Sequence, residues 1–238
     1  MQMNGNTILI TGGATGIGFS MAKYFHERGN TIIICGRRED RLEQAAEKLP
    51  GIHIFKCDLM NHNDRKALFL HVSGNFSDIN MLINNAGVQR DIDLTKGIID
   101  LDSKGDEIRI NLEAPVYLSA LFTKVLSGKK NAVIANVSSG LAFVPERSIG
   151  MPVYCATKAA MHAFSIAQRK QLEPLGIRVI EIIPPMVESE LNTEGRMNRN
   201  MQKTPNMMTS DEFAEKALEK MEQDADEIRI EREPSPKS

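Results

Sequence analysis

Tyr154 and Lys158 stand four residues apart in Tyr154-Cys155-Ala156-Thr157-Lys158, so one turn of helix would set an ammonium beside a phenol. A tyrosine of ordinary pKa, about 10, is a poor acid or base near neutrality, and a neighbouring cation favours its phenolate. Such a pair can pass a proton to or from a substrate oxygen. The pattern also arises by chance, so it takes its weight from its surroundings. An apolar run from Asn131 to Val137 ends in Ser138-Ser139-Gly140 about one loop earlier, and Asn111 lies in a helical pattern before that run. Asn111, the Ser138-Ser139 pair, Tyr154 and Lys158 are therefore polar groups that converge on one crevice edge.

A second chemistry lies in Thr11-Gly12-Gly13-Ala14-Thr15-Gly16-Ile17-Gly18, between the apolar run Thr7 to Ile10 and a helical stretch from Phe19 to Arg28. Gly12 can take positive φ in the turn, Gly16 lets backbone N–H groups approach a phosphate, and Gly18 lets the helix pack on the strand. An anion there meets unpaired donors and the positive end of the helix dipole. Gly12, Thr15, Gly16, Ile17 and Gly18 are the candidate diphosphate contacts. The spacing is Gly-x-x-x-Gly-x-Gly, not Gly-x-Gly-x-x-Gly, and tight packing alone would also call for glycine there.

Alternating strands and helices must carry these groups. Thr31 to Cys35, Ile52 to Cys57, Asn80 to Ile83, Asn131 to Val137 and Ile177 to Ile183 read as further strands. Helical spacing fills Glu39 to Leu49, a stretch from Asn63 or Asp64 towards Val72, and Asp106 to Leu126, where Asn111 and Pro115 imply a bend or special geometry. Tyr154 begins a helix running through Ala167, Gly29 closes the first helix as its C′ residue, and Ser210-Asp211 caps a last helix through Met221. Glu227 to Ile230 reads as an added edge strand. Short connections of this kind imply one α/β domain: a doubly wound parallel sheet of Rossmann type.

The second strand should end near an adenosine ribose, where NAD is met by a carboxylate. Here the chain reads Cys35-Gly36-Arg37-Arg38, with no carboxylate before Glu39. A guanidinium fork suits a 2′-phosphate, which makes Arg37 the main candidate ligand and NADP(H) the preferred cofactor over NAD(H). Arg38 is either a second ligand or a solvated helix start. Asp58-Leu59 would border the adenine, with a local backbone cap as the other reading of Asp58. Asn84-Asn85-Ala86-Gly87 suggests a strand end that ties neighbouring loops while its backbone stays open to ligand.

A net charge of −2, from 29 basic and 31 acidic residues, gives no nucleic-acid or anionic-membrane surface. The first residues lack an apolar export segment, and Cys35, Cys57 and Cys155 show no Cys-x-x-Cys pairing, so a cytoplasmic setting is expected. The five histidines show no metal-ligand spacing, and no metal is expected. Glu231 to Ser238 reads as a frayed polar tail.

Taken together, Thr11-Gly12-x-x-x-Gly16-x-Gly18, Asn84-Asn85-Ala86-Gly87, Asn111, Ser139 and Tyr154-x-x-x-Lys158 resemble the short-chain dehydrogenase/reductase family over Thr7 to Leu191. The stretches Asn136 to Pro145 and Pro152 to Tyr154 resemble, more narrowly, oxidoreductases encoded with lipoteichoic-acid D-alanylation genes. The resemblance implies an NADPH-dependent oxidoreductase acting on a small or medium carbonyl or alcohol. It makes Tyr154 the proton donor or acceptor and Ser139 the group that orients the substrate oxygen. It gives Lys158 the tuning of Tyr154 and a hold on the nicotinamide ribose, and Asn111 the support of a relay water. Ser139 is preferred over Ser138 by its place in the family pattern, and strand alternation turns Ser138 the other way. Asn85, Ala86 and Gly87 border the cofactor, Asn85 chiefly as structure.

Beyond the sixth strand the family's Pro-Gly is replaced by Pro184-Pro185, which removes a donor and glycine's freedom. Pro184, backbone at Val187 and the Ser189 hydroxyl remain the expected nicotinamide contacts. Phe143, Val144 and Met151 would line the substrate pocket or simply pack. The polar, Met-bearing stretch within 189–212 is either a substrate lid or an ordinary loop. The family's glycine-rich tetramer ending is missing, which favours a homodimer. Two rival functions are a dinucleotide-binding sensor or partner module without turnover, and epimerisation or dehydration with the nicotinamide recycled.

Overall fold

The computed structural model describes residues 1–98, 102, 106–188 and 207–230. Among these residues seven strands form one parallel sheet: β1 (Thr7–Thr11), β2 (Thr31–Gly36), β3 (His53–Lys56), β4 (Ile79–Asn84), β5 (Val133–Val137), β6 (Arg178–Ile183) and β7 (Glu227–Arg229). Their order is β3-β2-β1-β4-β5-β6-β7, so the winding reverses between β1 and β4. A crevice therefore opens outside the carboxyl ends of those two strands.

The central strands are continuous runs such as Thr7-Ile8-Leu9-Ile10 because both faces are covered. Alternate residues feed two cores. Ile8, Ile10, Ile32 and Ile34 pack with α1 (Gly16–His26), α2 (Glu39–Lys48) and the last described helix, Ser210–Glu222. Leu9, Ile33, Leu82 and Ile134 pack with α3 (His62–Asn75), α4 (Ala114–Leu126) and α5 (Pro152–Leu172). The last helix is α6. No described helix is long and apolar enough to cross a membrane.

Several ends differ from the sequence reading. The first helix stops at His26, and Gly29, at φ +75°, turns the chain two residues beyond the Glu27 cap. Asn61, not Asn63 or Asp64, caps α3 by accepting from the Asn63 N–H. Thr209, not Ser210, caps α6, in a reciprocal box with Glu212. Helix α5 starts two residues before Tyr154 because Pro152 suits the first turn, and it runs on to Leu172. The special geometry expected at Asn111 is a π turn, Arg109–Glu113, which relaxes into α4 with Pro115 in its first turn. The tail 231–238 lies outside the described residues.

Candidate active site

The glycine turn is stitched to the end of β4. The Thr11 hydroxyl accepts from the N–H groups of Asn85 and Ala86, at 3.0 and 3.1 Å, while the Asn85 amide donates to the carbonyls of Thr11 and Gly12, at 2.9 and 3.2 Å. Gly12 has φ +65°, and a Cβ there would come within 2.9 Å of the Ala86 Cα. A Cβ on Gly18 would fall on the Gly12 carbonyl and the Asn85 amide. Gly16 opens α1 at φ +56°. Thr15, the N-cap, makes no side-chain cap bond, and the first turn of α1 holds no acid. Backbone donors at Gly16 and Ile17 thus face an end of the helix suited to an anion.

At the adenosine end, Arg37 is exposed, and it shares with Phe55, Lys56, Asp58, Asp64 and Ala67 the wall of a shallow concavity of about 210 Å³. Glu39, the nearest carboxylate in sequence, is held 2.8 Å from the Lys56 ammonium. Asp58 accepts from the Met60 N–H at 3.0 Å, so it does cap local backbone. Leu59 is buried, and its carbonyl accepts from the buried Arg65 at 2.9 Å. Arg38 stands immediately before α2 as its N-cap.

The catalytic candidates meet at the ends of β4 and β5. Asn111 clasps Val88 twice, its Oδ1 accepting from the Val88 N–H and its amide donating to the Val88 carbonyl, both at 2.8 Å. The same amide reaches Thr157 Oγ1 at 3.2 Å, and that hydroxyl donates to the Tyr154 carbonyl at 2.8 Å. Lys158 is buried, donates to the Val137 carbonyl at 2.8 Å, and places Nζ 5.8 Å from the centre of the Tyr154 ring. Burial pushes the Lys158 pKa down to about 8, against the opposing pull of the Glu181 carboxylate. A Cβ on Gly87 would lie 3.4 Å from Asn111 Oδ1 and 3.6 Å from Lys158 Nζ, which brings the Asn-Ala-Gly turn to the same place. Ser139 Oγ accepts from the Leu141 N–H at 3.2 Å, whereas the Ser138 hydroxyl is buried without a partner.

On the nicotinamide side, the Pro184 carbonyl accepts from the Gly140 N–H at 2.9 Å. Val187 is buried and pairs with Met208 in a parallel bridge, supported by Glu188 N–H to the Met208 carbonyl at 3.0 Å. Ser189 and most of the expected lid, 189–206, lie outside the described residues. The Phe143 ring packs edge-on against His162, 4.7 Å between centroids, with the Arg229 guanidinium 4.3 Å from its centre. Met151 meets the amide of Gln89.

Sequence reasoning missed three contributors. Gly13 is needed because a Cβ there would come within 2.8 Å of the Ile34 Cβ. Thr157 sits inside the Tyr-x-x-x-Lys motif, yet its role depends on a helix remote in sequence. Glu107 is fully buried one turn before Asn111, and its Oε1 accepts from the Arg90 N–H at 2.8 Å. Burial raises its pKa to about 7, opposed by that N–H.

The short chain dehydrogenase family matches residues 6–200. An uncharacterized oxidoreductase of Bacillus subtilis strain 168, DltE, is 45% identical over 98% of this chain and 90% of its own. Among solved structures, a short-chain dehydrogenase from Sphingobium yanoikuyae in complex with NADPH superposes with a TM-score of 0.80 at 27% identity, over 94% of this chain and 87% of that one. One from Burkholderia cenocepacia J2315 in complex with NADP gives 0.81 at 25% identity, over 98% and 90%. By sequence match and by fold, the chain belongs to the short-chain dehydrogenase/reductase family and is an NAD(P)-dependent oxidoreductase of that family.

Proposed function

We propose that this enzyme uses NADP(H), in preference to NAD(H), to interconvert a small or medium carbonyl compound and its alcohol, with Tyr154 as proton donor and acceptor. The observation that carries this reading is the Lys158 ammonium, anchored on the Val137 carbonyl and 5.8 Å from the Tyr154 ring, at the strand end that also bears Ser139. A buried cation there favours the phenolate and brings proton transfer into the neutral range. Ser139 holds the substrate oxygen, and Asn111 fixes the Val88 turn and its share of the proton path.

The residues fit a dinucleotide. The uncapped, acid-free start of α1 takes the diphosphate, and the space that a Cβ at Gly12 or Gly18 would fill keeps the turn close to it. Arg37, assisted by Arg38, takes the 2′-phosphate, with Glu39 drawn off by Lys56. Asp58 and Leu59 flank the adenine; Asn85, Ala86 and Gly87 border the ribose with Lys158; Pro184, Val187 and Ser189 hold the nicotinamide end. The bound cofactor supplies the hydride, and the protein supplies orientation and the proton. NADPH and NADP in the two structural relatives support the choice of phosphate. Three free, buried cysteines are compatible with a reducing, cytoplasmic setting. A homodimer is proposed as the working state, to be checked by light scattering.

Parallel titrations with NADPH and NADH, read by nicotinamide fluorescence, test the cofactor assignment. NADPH should bind more tightly, with the preference reduced roughly 10-fold or more in Arg37→Ala, the loss of a charge-assisted bond. A preference for NADH overturns it. Tyr154→Phe should lower kcat for carbonyl reduction by about 10²–10⁴-fold while NADPH affinity is kept. Unchanged turnover removes Tyr154 from the mechanism.

A further inference from the structure

Parallel pairing of β6 with β7 sets Glu181 directly beside Glu227. Two like charges at lateral neighbours on one sheet face repel each other. Glu181 is also fully buried, in a strand whose other inward residues are apolar. A buried carboxylate normally has all its oxygens satisfied. Here Oε2 lies 2.7 Å from His162 Nδ1, and Oε1 has no partner. His162 comes from α5, one turn beyond Lys158, and its ring is braced by Phe143.

One donor atom from each of His162, Glu181 and Glu227 lies within 4.8 Å of the others. Around a tetrahedral zinc ion with bonds of roughly 2.0–2.2 Å, donors stand about 3.3–3.6 Å apart. The half-exposed Glu227 side chain can swing inward by the roughly one ångström that closes the difference. Glu227 is about half exposed, which leaves an approach from solvent and open positions for water. Its present ionic partner, Arg229, is 3.7 Å away and also lies against Phe143.

We propose that His162, Glu181 and Glu227 form a binding site for a divalent first-row transition cation, with Zn²⁺ as the first choice, at the β6–β7 edge under α5. One imidazole and two carboxylates are a borderline donor set that suits Zn²⁺ or Mn²⁺ better than Mg²⁺ or Ca²⁺, whose preference is for oxygen alone. Binding replaces the contact between His162 and Glu181 and gives the orphaned Glu181 oxygen a partner. It also turns the repulsion between the two carboxylates into shared coordination. The histidine spacing in the sequence hides this site because its three members come from a helix and two strands, each contributing one residue.

Isothermal titration of the full chain with ZnCl₂, after removal of metal with chelator and in the absence of substrate, tests the site. One equivalent should bind, saturably. His162→Gln and Glu227→Gln should each weaken binding by roughly 100-fold, at least the loss produced by removing an outer-shell partner of a metal ligand. Glu227→Gln is the decisive variant, because its exposed position makes folding secure, and circular dichroism verifies this. Absence of a saturable equivalent overturns the proposal. So does zinc binding that survives both substitutions, which would assign the metal to other histidines or to thiols.

Discussion

At the scale of single residues, Glu107 departs far from its ordinary chemistry, and no ion pair among the described residues excuses its burial. Arg90 gives it a backbone N–H, but the Arg90 guanidinium is paired with Asp106 at 3.0 Å, and Oε2 of Glu107 has no partner. Burial raises its pKa to about 7, with smaller upward pushes from Asp106 and Asp91. The unfolded chain releases this proton near pH 4.5, the folded one only near 7. The stabilising contribution is therefore complete below about 4.5 and is lost as pH rises through 7, at most about 3 kcal/mol across the window. Wild-type urea midpoints should fall between pH 5 and 8.5, apart from other titrations. Glu107→Gln, which keeps the acceptor for Arg90, should narrow that fall and be the more stable form at pH 8.5. Equal slopes for the two proteins would show that Glu107 stays ionised throughout.

At the scale of elements, the π turn Arg109–Glu113 carries Asn111 to a position from which it holds the Val88 loop and Thr157 together. Asn111→Leu leaves the Val88 N–H and carbonyl and the Thr157 hydroxyl without that amide. Unsatisfied buried groups of this kind cost about 1–3 kcal/mol each, offset in part by water, so a loss of about 2–4 kcal/mol in denaturant unfolding is expected. NADPH binding should weaken in parallel, because Gly87 moves with Val88. An unchanged unfolding midpoint would dismiss the clasp. The sequence made this element legible only as an anomaly: Asn111 and Pro115 argued against an ordinary helix, but the partner at Val88 is 23 residues away and set by tertiary packing. Strands and the glycine turn were legible because local periodicity and backbone sterics determine them. Caps were less so, since Asn61, Asn63 and Asp64 are all competent, and Asp64 is instead occupied by the Asp58 N–H at 2.9 Å. Glu107 and Glu181 carried no signal, because a lone carboxylate in an amphipathic helix or within a strand reads as solvated until the neighbouring elements cover it.

At the scale of the whole molecule, the parallel sheet sorts chemistry to one end. The glycine turn, Arg37, Asp58, the Asn-Ala-Gly turn, Ser139 and Pro184 all follow carboxyl ends of strands, while α5 brings Tyr154 and Lys158 across to them. The opposite end holds a polar concavity of about 280 Å³, larger than the one at Arg37 and lined by Gln2, Gly5, Asn6, Asp78, Asn80, Lys129, Lys130 and Asn131. Its amides are already spent on structure: Asn80 accepts from the Thr7 N–H at 3.0 Å and donates to Asn6 at 2.9 Å, and Asn131 donates to the Gln2 carbonyl at 3.0 Å. Those bonds align the starts of β1, β4 and β5, so size alone is a poor guide to which end binds ligand. Hydrogen exchange with and without saturating NADPH separates the two ends in a single measurement. Protection should rise in the segments 11–18, 35–38, 84–88 and 137–141, which border the crevice, and stay level at 2–6 and 129–131. Protection confined to the second set would move the dinucleotide to the amino ends of the strands, and the Tyr154 and Lys158 assignments would fall with it.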